Sequence, residues 1–254
     1  MNQKIALITG ATAGIGFETA NLLAQNGYNL ILTGRRKDRL ESVKKQIELN
    51  YDCKVQILNF DIRKRNDVEK ALTTLPEEWK AIDVLINNAG LAAGLGPVNS
   101  ADVDDWENMI DTNVKGLLYM TRIVSPWMVE RQGGHIVNIT SIAGKEVYPN
   151  GSVYCGSKHA VAAITKAMRI ELMPSGIKVS SIAPGAVETE FSLVRFRGDE
   201  EKAAQVYKGF TPLNAKDIAE TILFAITRPA HVNIDDLLIM PTNQASARDF
   251  NKKL

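Results

Sequence analysis

The feature that most constrains the fold of this chain is a regular alternation of short apolar runs with longer stretches of helical periodicity. Short apolar runs bounded by turn residues are typical of buried strands. Seven strands are predicted, at Ile5–Thr9, Asn29–Thr33, Val55–Phe60, Ile82–Ile86, His135–Ile139, Lys178–Ile182 and Asp236–Met240. The alternation therefore favours an α/β protein.

Helical patterns separate these runs. Six helices are predicted, at residues 15–26, 37–49, 66–74, 102–131, 152–173 and 215–227. Strands that alternate with helices imply parallel strand–helix–strand units, which form one sheet with helices on both faces. No repeat or linker interrupts the pattern, so we expect a single domain over residues 1–254. The irregular stretch at about 185–214 lies before the last helix, where a substrate loop is expected.

Composition excludes several classes of function. The 30 basic and 29 acidic side chains nearly cancel, so no bulk field attracts nucleic acid or an anionic membrane. No apolar stretch reaches the length of a membrane span, and the first one is too short for a secretion signal. Cys53 and Cys155 give no disulfide framework, and the three histidines show no metal-ligand spacing. We therefore expect a cytoplasmic protein that acts on a small molecule, with no metal, nucleic acid or membrane partner.

A glycine-rich turn directly follows the first predicted strand and opens the first helix. Glycine permits positive φ and lets the backbone approach a pyrophosphate, which the helix N-terminus then stabilises. A tight turn without a ligand is the alternative, but the strand–turn–helix context favours a nucleotide. The residues expected to contact it are Gly10, Thr12, Ala13, Gly14, Ile15 and Gly16.

Tyr154 and Lys158 are four residues apart in a predicted helix, so they share one helix face. A cation beside a phenol favours the phenolate, which brings a group with an ordinary pKa of about 10 towards working pH. A shift of three units requires roughly 4 kcal/mol, which we expect to need both a desolvated lysine and a second positive charge. An incidental surface pair is the alternative interpretation of this spacing.

Several further motifs bear on these two interpretations. The glycine spacing Gly-x-x-x-Gly-x-Gly, the run Asn87-Asn-Ala-Gly90 after the fourth strand and Asn113 in a long helix resemble the short-chain dehydrogenase/reductase family. Ser141 after the fifth strand and Pro184-Gly185 after the sixth strand match it as well. The resemblance covers residues 4–240 and implies a Rossmann fold with a doubly wound, seven-stranded parallel sheet.

The resemblance also implies a catalytic set of Asn113, Ser141, Tyr154 and Lys158. Tyr154 would be the general acid or base, and Lys158 would lower its pKa and contact the nicotinamide ribose. Ser141 would donate to the substrate oxygen, and the main-chain carbonyl of Asn113, in a distorted helix turn, would anchor a water that relays protons. Further cofactor contacts are implied for Asn88, Ala89, Gly90, Pro184, Gly185, Val187 and Thr189.

The end of the second strand predicts the cofactor. Family members that prefer NAD carry an aspartate there for the ribose 2′-hydroxyl, whereas arginine accommodates a 2′-phosphate. This chain has Gly34 followed by Arg35 and Arg36, which can supply charged donors, so NADP is expected. Asp61 and Ile62, after the third strand, match the pair that contacts adenine in the family.

Two local stretches indicate a substrate class. Residues 190–199 and 228–234 look like the NADP-dependent 3-hydroxy acid dehydrogenase branch, which oxidises the C3 hydroxyl of L-allo-threonine, serine or 3-hydroxypropionate. Arg195 is the candidate partner for the substrate carboxylate, beside Ser141 and Tyr154. A structural salt bridge from Arg195 to Asp199 or Glu200 is the alternative.

Two other functions stay open at this point. A carbonyl or 3-oxoacyl thioester reductase would use the same fold, although no basic cluster for an acidic carrier protein stands out. An NADP-sensing interaction protein would have no need of an intact Ser141, Tyr154 and Lys158. Residues 160–168 are small or apolar nearly all round, which together with the resemblance predicts a homotetramer built from this helix and the helix of Asn113.

Overall fold

A computed structural model describes residues 3–253 and places a seven-stranded sheet at the centre of the protein. The strands are β1 (Ile5–Thr9), β2 (Asn29–Gly34), β3 (Val55–Asn59), β4 (Ile82–Asn87), β5 (Gly134–Ile139), β6 (Ile177–Pro184) and β7 (Asp236–Ile239). Every neighbouring pair is parallel, and the order is β3-β2-β1-β4-β5-β6-β7. The predicted sheet and fold class are confirmed, with strand ends that differ by one or two residues.

Ten α-helices are present among the described residues. They are α1 (Gly14–Gln25), α2 (Lys37–Asn50), α3 (Arg65–Thr73), α4 (Glu77–Lys80), α5 (Val103–Ile110), α6 (Leu117–Glu130), α7 (Ser152–Leu172), α8 (Glu190–Arg195), α9 (Glu200–Tyr207) and α10 (Ala215–Ile226). None of the described helices has the length and apolarity to cross a bilayer.

The two faces of the sheet carry two separate apolar layers. In β1, Ala6 and Ile8 point into a layer shared with α1, α2 and α10. Ile5 and Leu7 point the opposite way, into a layer shared with α3, α6 and α7. Side chains alternate between faces along a strand, so a strand apolar throughout must be covered on both sides. This is why the continuous apolar runs of the sequence become a doubly covered parallel sheet.

The long helix predicted at 102–131 is interrupted. Residues Asp111–Gly116 form a π-helical turn between α5 and α6, so the distorted helix turn expected at Asn113 is present. Such turns insert an extra residue into a helix and are frequent at functional sites.

The stretch at 185–214, here called the substrate segment, is more ordered than the irregular loop predicted for it. It contains α8, α9 and a short parallel pairing of Val187–Glu188 with Leu213–Asn214. The side chain of Thr189 caps α8 by accepting the Phe191 N–H, and that of Asp199 caps α9 by accepting the Lys202 N–H. Both helices are too short to show a clear period, which explains why the pattern missed them.

Candidate active site

A cavity of about 350 Å³ lies at the carboxyl ends of the strands, beside β1 and β4, where the strand order reverses. Ligands of open parallel sheets bind at this switch point. Of the predicted site residues, all line the cavity except Gly16, Asn113 and Arg195. The lining includes Gly10, residues 12–15, 35–36, 61–62 and 88–90, and also Ser141, Tyr154, Lys158, Pro184, Gly185, Val187 and Thr189.

The glycine-rich turn is shaped for a close backbone approach. Gly10 has φ of +68°, which favours glycine, and a Cβ on Gly16 would lie 2.4 Å from the Gly10 carbonyl oxygen. The first turn of α1 has no acidic residue, and Ala13 at its N-cap supplies no side-chain acceptor. The free N–H groups of α1 therefore face the cavity end where a pyrophosphate would bind, which fits a dinucleotide.

Two residues that directly follow β4 hold this turn in place. The Thr9 hydroxyl oxygen accepts the backbone N–H groups of both Asn88 and Ala89 at 2.9 Å. The Asn88 side chain donates back to the Thr9 carbonyl oxygen at 2.8 Å. Sequence reasoning selected Asn88 and Ala89 but missed Thr9, because a threonine that ends a strand looks like any other strand residue.

The end of β2 has no side chain at Gly34 and is followed by two cationic residues. A Cβ on Gly34 would lie 2.8 Å from Thr12 Cγ2, so the turn leaves little room for a side chain there. Arg36 donates through Nε and Nη2 to the Thr12 hydroxyl, at 3.2 and 2.8 Å. Arg35 and Arg36 both line the cavity, which fits a 2′-phosphate.

Asp61, the predicted adenine contact, is engaged within the protein. Its carboxylate accepts the Arg63 guanidinium, with Nη2 at 2.6 Å from Oδ2. The hydrogen bond from Arg63 holds the pKa of Asp61 below its ordinary value, so the group is a carboxylate at neutral pH. It still lines the cavity beside Ile62.

Tyr154 is buried on α7, with its ring 5.8 Å from that of Phe191. Burial raises the pKa of Tyr154 to about 12, and neighbouring Tyr148 adds to this rise. The Arg195 guanidinium and a hydrogen bond with Ser141 act in the opposite direction on the same pKa. In the protein alone, therefore, the four-residue spacing to Lys158 does not bring the pKa of the phenol to working pH, because desolvation outweighs the effects of Arg195 and Ser141.

Lys158 is buried one helical turn further along α7. Its Nζ donates to the Ile139 carbonyl oxygen at 2.9 Å. Burial lowers its pKa from 10.5 to about 8. A lysine with such a pKa exchanges protons readily near neutral pH, which fits the proton-transfer role predicted for it beside Tyr154.

Asn113 lies behind the cavity, in the π-helical turn. Its side chain is engaged, since Oδ1 accepts the Leu91 N–H at 2.8 Å and Nδ2 donates to the Ser157 hydroxyl at 3.0 Å. Gly90 lies between the two polar groups, because a Cβ there would be 3.2 Å from Asn113 Oδ1 and 3.5 Å from Lys158 Nζ. The missing side chain keeps open the space between Asn113 and Lys158.

Arg195 makes none of the salt bridges considered from sequence. Asp199 pairs with Lys202 instead, at 2.9 Å. Arg195 Nη2 donates to the Tyr148 hydroxyl at 2.8 Å, and its guanidinium carbon lies 5.1 Å from the centre of the Tyr154 ring. Arg195 and Tyr154 both line a second cavity of about 190 Å³ next to the first one. Tyr148 is a site residue that sequence reasoning missed, since a loop position offers no periodic signal.

These observations define the class of protein. A family profile described as short chain dehydrogenase matches residues 4–199. Together with the switch-point cavity and the Ser141, Tyr154 and Lys158 set, the match shows that the chain belongs to the short-chain dehydrogenase/reductase family, as the sequence motifs predicted.

Within this family, the chain is similar over nearly its whole length to NADP-dependent dehydrogenases. The chain is 47% identical over 244 residues to the NADP-dependent 3-hydroxy acid dehydrogenase YdfG of Salmonella typhi, covering 96% of this chain and 97% of that protein. It is 44% identical to the NADP-dependent 3-hydroxy acid dehydrogenase of Schizosaccharomyces pombe, covering 100% and 98%. Among solved structures, the closed form of serine dehydrogenase complexed with NADP+ superposes with a TM-score of 0.91 at 45% identity, covering 96% and 97%.

Proposed function

We propose that this protein oxidises the C3 hydroxyl of small 3-hydroxy acids with NADP, and catalyses the reverse reduction. One observation carries the substrate class. Arg195 has no carboxylate partner among residues 3–253, and it stacks on the ring of Tyr154 at the junction of the two cavities. A guanidinium without a carboxylate partner in the described residues, lying beside the reacting group, is suited to a substrate carboxylate, which it can bind through charge-assisted hydrogen bonds.

The residues around the substrate oxygen support this chemistry. In the oxidation, Tyr154 accepts the proton of the C3 hydroxyl as a phenolate, a form that the positive charge of oxidised nicotinamide would favour against the effect of burial. The Ser141 hydroxyl donates to the same substrate oxygen and stabilises its developing charge. The proton then passes from Tyr154 to Lys158. The space that Gly90 keeps open between Lys158 and Asn113 suits a water molecule that carries the proton onward. In the reduction, each proton moves in the opposite direction.

The cofactor site has the residues that NADP requires. When bound, NADP accepts the hydride from C3 of the substrate. The free N–H groups of α1 would hold its pyrophosphate, and Arg35, Arg36 and Thr12 would hold its 2′-phosphate. The predicted contact of Thr189 with the nicotinamide amide is compatible with its cap, because a hydroxyl that accepts the Phe191 N–H can still donate its own hydrogen.

A substrate panel tests the proposal. NADPH formation is measured with L-allo-threonine, L-serine and 3-hydroxypropionate, and the methyl ester of 3-hydroxypropionate is the matched control that keeps the hydroxyl but lacks the charge. We expect a higher kcat/KM for the acid than for its ester. Turnover of the ester or of uncharged ketones, with none of the three acids, would point to a general carbonyl reductase. Turnover confined to 3-oxoacyl thioesters would support the thioester reductase.

The same proposal includes an assembly and a location. α7 exposes Gly156, Ala163 and Ala167 together with Ile170, which is 70% exposed, and α6 exposes Leu118. Small and apolar side chains on two neighbouring helices support burial against a second copy, and hence a homotetramer. Cys53 and Cys155 are both free thiols, in keeping with the reducing cytoplasm. Sedimentation equilibrium tests the assembly, and a monomer at micromolar concentration would contradict it.

A further inference from the structure

Glu190, the first residue of α8, lies between two arginines of the cofactor-binding end. Its Oε2 accepts Arg36 Nη1 at 2.9 Å, and its Oε1 accepts Arg39 Nη1 at 2.6 Å. The hydrogen bonds from both arginines hold the pKa of Glu190 below its ordinary value, so it carries a full negative charge at neutral pH. A carboxylate from the substrate segment therefore neutralises the cations at the start of α2.

The same arginine reaches the glycine-rich turn. Arg36 donates through its other two nitrogens to the Thr12 hydroxyl, so Glu190, Arg36 and Thr12 form one continuous chain of hydrogen bonds. All three residues line the first cavity, as do Gly34 and Arg35. An anion that binds Arg36 there competes with Glu190 for the N–H groups of Arg36 Nη1.

Glu190 is also connected to the substrate end of the site. The neighbouring Phe191 packs on the ring of Tyr154, and Arg195 at the other end of α8 lies against the same ring. The helix has only six residues, so displacement of its first residue affects the whole of it. The partners of α8 are thus divided between the cofactor-binding end and the catalytic tyrosine.

We propose that Glu190 is a built-in competitor of the cofactor 2′-phosphate, and that binding of the phosphate releases α8 from Arg36 and Arg39. The inference rests on the NADP preference of the proposed function. A phosphate group carries a charge of about −1.5 to −2 at neutral pH, against −1 for the carboxylate, so it prevails at the arginines. NAD lacks this group and leaves Glu190 in place. Of the two cofactors, therefore, only NADP releases the segment that carries Arg195.

The opposite role would be an ionic clasp, in which the bridge from Glu190 to Arg36 and Arg39 retains any dinucleotide lying beneath it. The two roles predict effects of opposite sign. Removal of a competitor tightens binding of ligands that carry the 2′-phosphate, whereas removal of a clasp weakens dinucleotides with and without it.

Calorimetric titration with two cofactor fragments tests the competitor. Adenosine 2′,5′-bisphosphate carries the 2′-phosphate, and 5′-AMP lacks it. Because exposed ion pairs are weak, we expect Glu190→Gln to tighten the bisphosphate about threefold to tenfold while affinity for 5′-AMP stays the same. The control is Glu188→Gln, which removes a charge two residues away from an exposed side chain that forms no ion pair among the described residues. It should leave the ratio of the two affinities unchanged.

Hydrogen exchange of residues 190–195 gives a second readout. In the wild type, the bisphosphate should accelerate exchange in this segment and 5′-AMP should not. In Glu190→Gln the exchange should be fast already and insensitive to either fragment. Slower exchange with the bisphosphate, or weaker binding of NADPH and NADH alike in Glu190→Gln, would overturn the competitor in favour of the clasp.

Two different results would contradict the NADP preference and the competitor role of Glu190. If the wild type binds the bisphosphate no better than 5′-AMP, the NADP preference itself is wrong. If the wild type prefers the bisphosphate but Glu190→Gln behaves like Glu188→Gln, only the role of Glu190 is overturned.

Discussion

The turn that faces the cofactor and the segment that faces the substrate are built by different means. The turn is fixed by hydrogen bonds in the interior, such as those that the buried Thr9 hydroxyl accepts from the N–H groups of Asn88 and Ala89, and it has no room for a Cβ at Gly16. The substrate segment is attached by side chains near the surface, with Glu190 bridging to α2 and Arg197 bridging to Asp102 at 2.7 Å. Exposed ion pairs contribute little and are exchanged easily. The turn for the cofactor is thus preformed, whereas the segment beside the substrate cavity is readily displaced.

Tyr154 lies on α7 and lines both cavities, and its loss gives the largest expected effect. Tyr154→Phe removes the group that exchanges the proton, and we expect kcat to fall by about 10²–10⁴-fold. The affinity for NADPH, measured by fluorescence titration, should stay close to that of the wild type because the turn is formed elsewhere. If turnover survives, the protein is not an enzyme of this type, and the cofactor-sensing alternative gains support.

The pH dependence of stability tests whether Lys158 is shielded from water in the folded protein. Its pKa of about 8 lies below the value of 10.5 in the unfolded chain, so the unfolded chain binds more protons between these values. Stability should therefore rise with pH in this window, by about 2–3 kcal/mol from pH 7 to pH 10. Tyr154, with a pKa of about 12, has the reverse effect only above pH 10.

Urea unfolding at both pH values measures this effect in the wild type and in Lys158→Met. The variant should lose most of the rise and be more stable at pH 7. Lys166→Met, at an exposed position of α7, is the control and should keep the rise. A flat wild-type profile would mean that Lys158 is hydrated in solution.

Gly16→Ala tests the close approach within the turn. The new Cβ would meet the Gly10 carbonyl oxygen at 2.4 Å and Asn88 Nδ2 at 2.5 Å, so the turn must shift. We expect a loss of about 1–3 kcal/mol in stability and weaker NADPH binding. Gly133→Ala is the matched control, because its Cβ would meet nothing within 4 Å and its φ lies outside the left-handed region, so it should be close to neutral. Equal effects of the two substitutions would refute a preformed turn.

Arg195→Met tests the substrate segment and gives the smallest expected effect. Loss of a charge-assisted contact should raise the KM for 3-hydroxypropionate about tenfold or more, with little change for its methyl ester. Arg197→Met removes a neighbouring guanidinium that pairs with Asp102 and Asp105, and it should affect acid and ester alike. An equal loss on acid and ester in Arg195→Met would assign Arg195 a purely structural role.

The sequence predicted the two regions unequally. The sheet, its parallel order and most of the cavity lining follow from apolar runs and from motifs whose residues act close to where they stand in the chain. Arg35 and Arg36 were predicted to serve the cofactor, and both line the cavity. The hydrogen bonds that hold Arg36 depend on residues far away in sequence, Thr12 and Glu190, which no local pattern identifies as its partners.

In the substrate segment, too, the contacts that depend on packing could not be predicted from the sequence. Arg195 was a candidate because of its position, but its stacking on Tyr154 and its bond to Tyr148 depend on how α8 packs. α8 and α9 were missed because six and eight residues show too little periodicity. The raised pKa of Tyr154 was also unforeseen, because burial is a property of the folded chain and the four-residue spacing contains no information about it.

The bond between Thr9 and residues 88–89 has a consequence for how the protein acquires its activity during folding. The two partners are separated by about 80 residues of chain, and closing such a loop carries a large entropic cost. The glycine-rich turn is therefore held in its binding shape only after β4 has docked beside β1, although its own sequence ends at Gly16. Affinity for the cofactor should emerge late in refolding, and a nascent chain that ends before β4 should be unable to retain a dinucleotide.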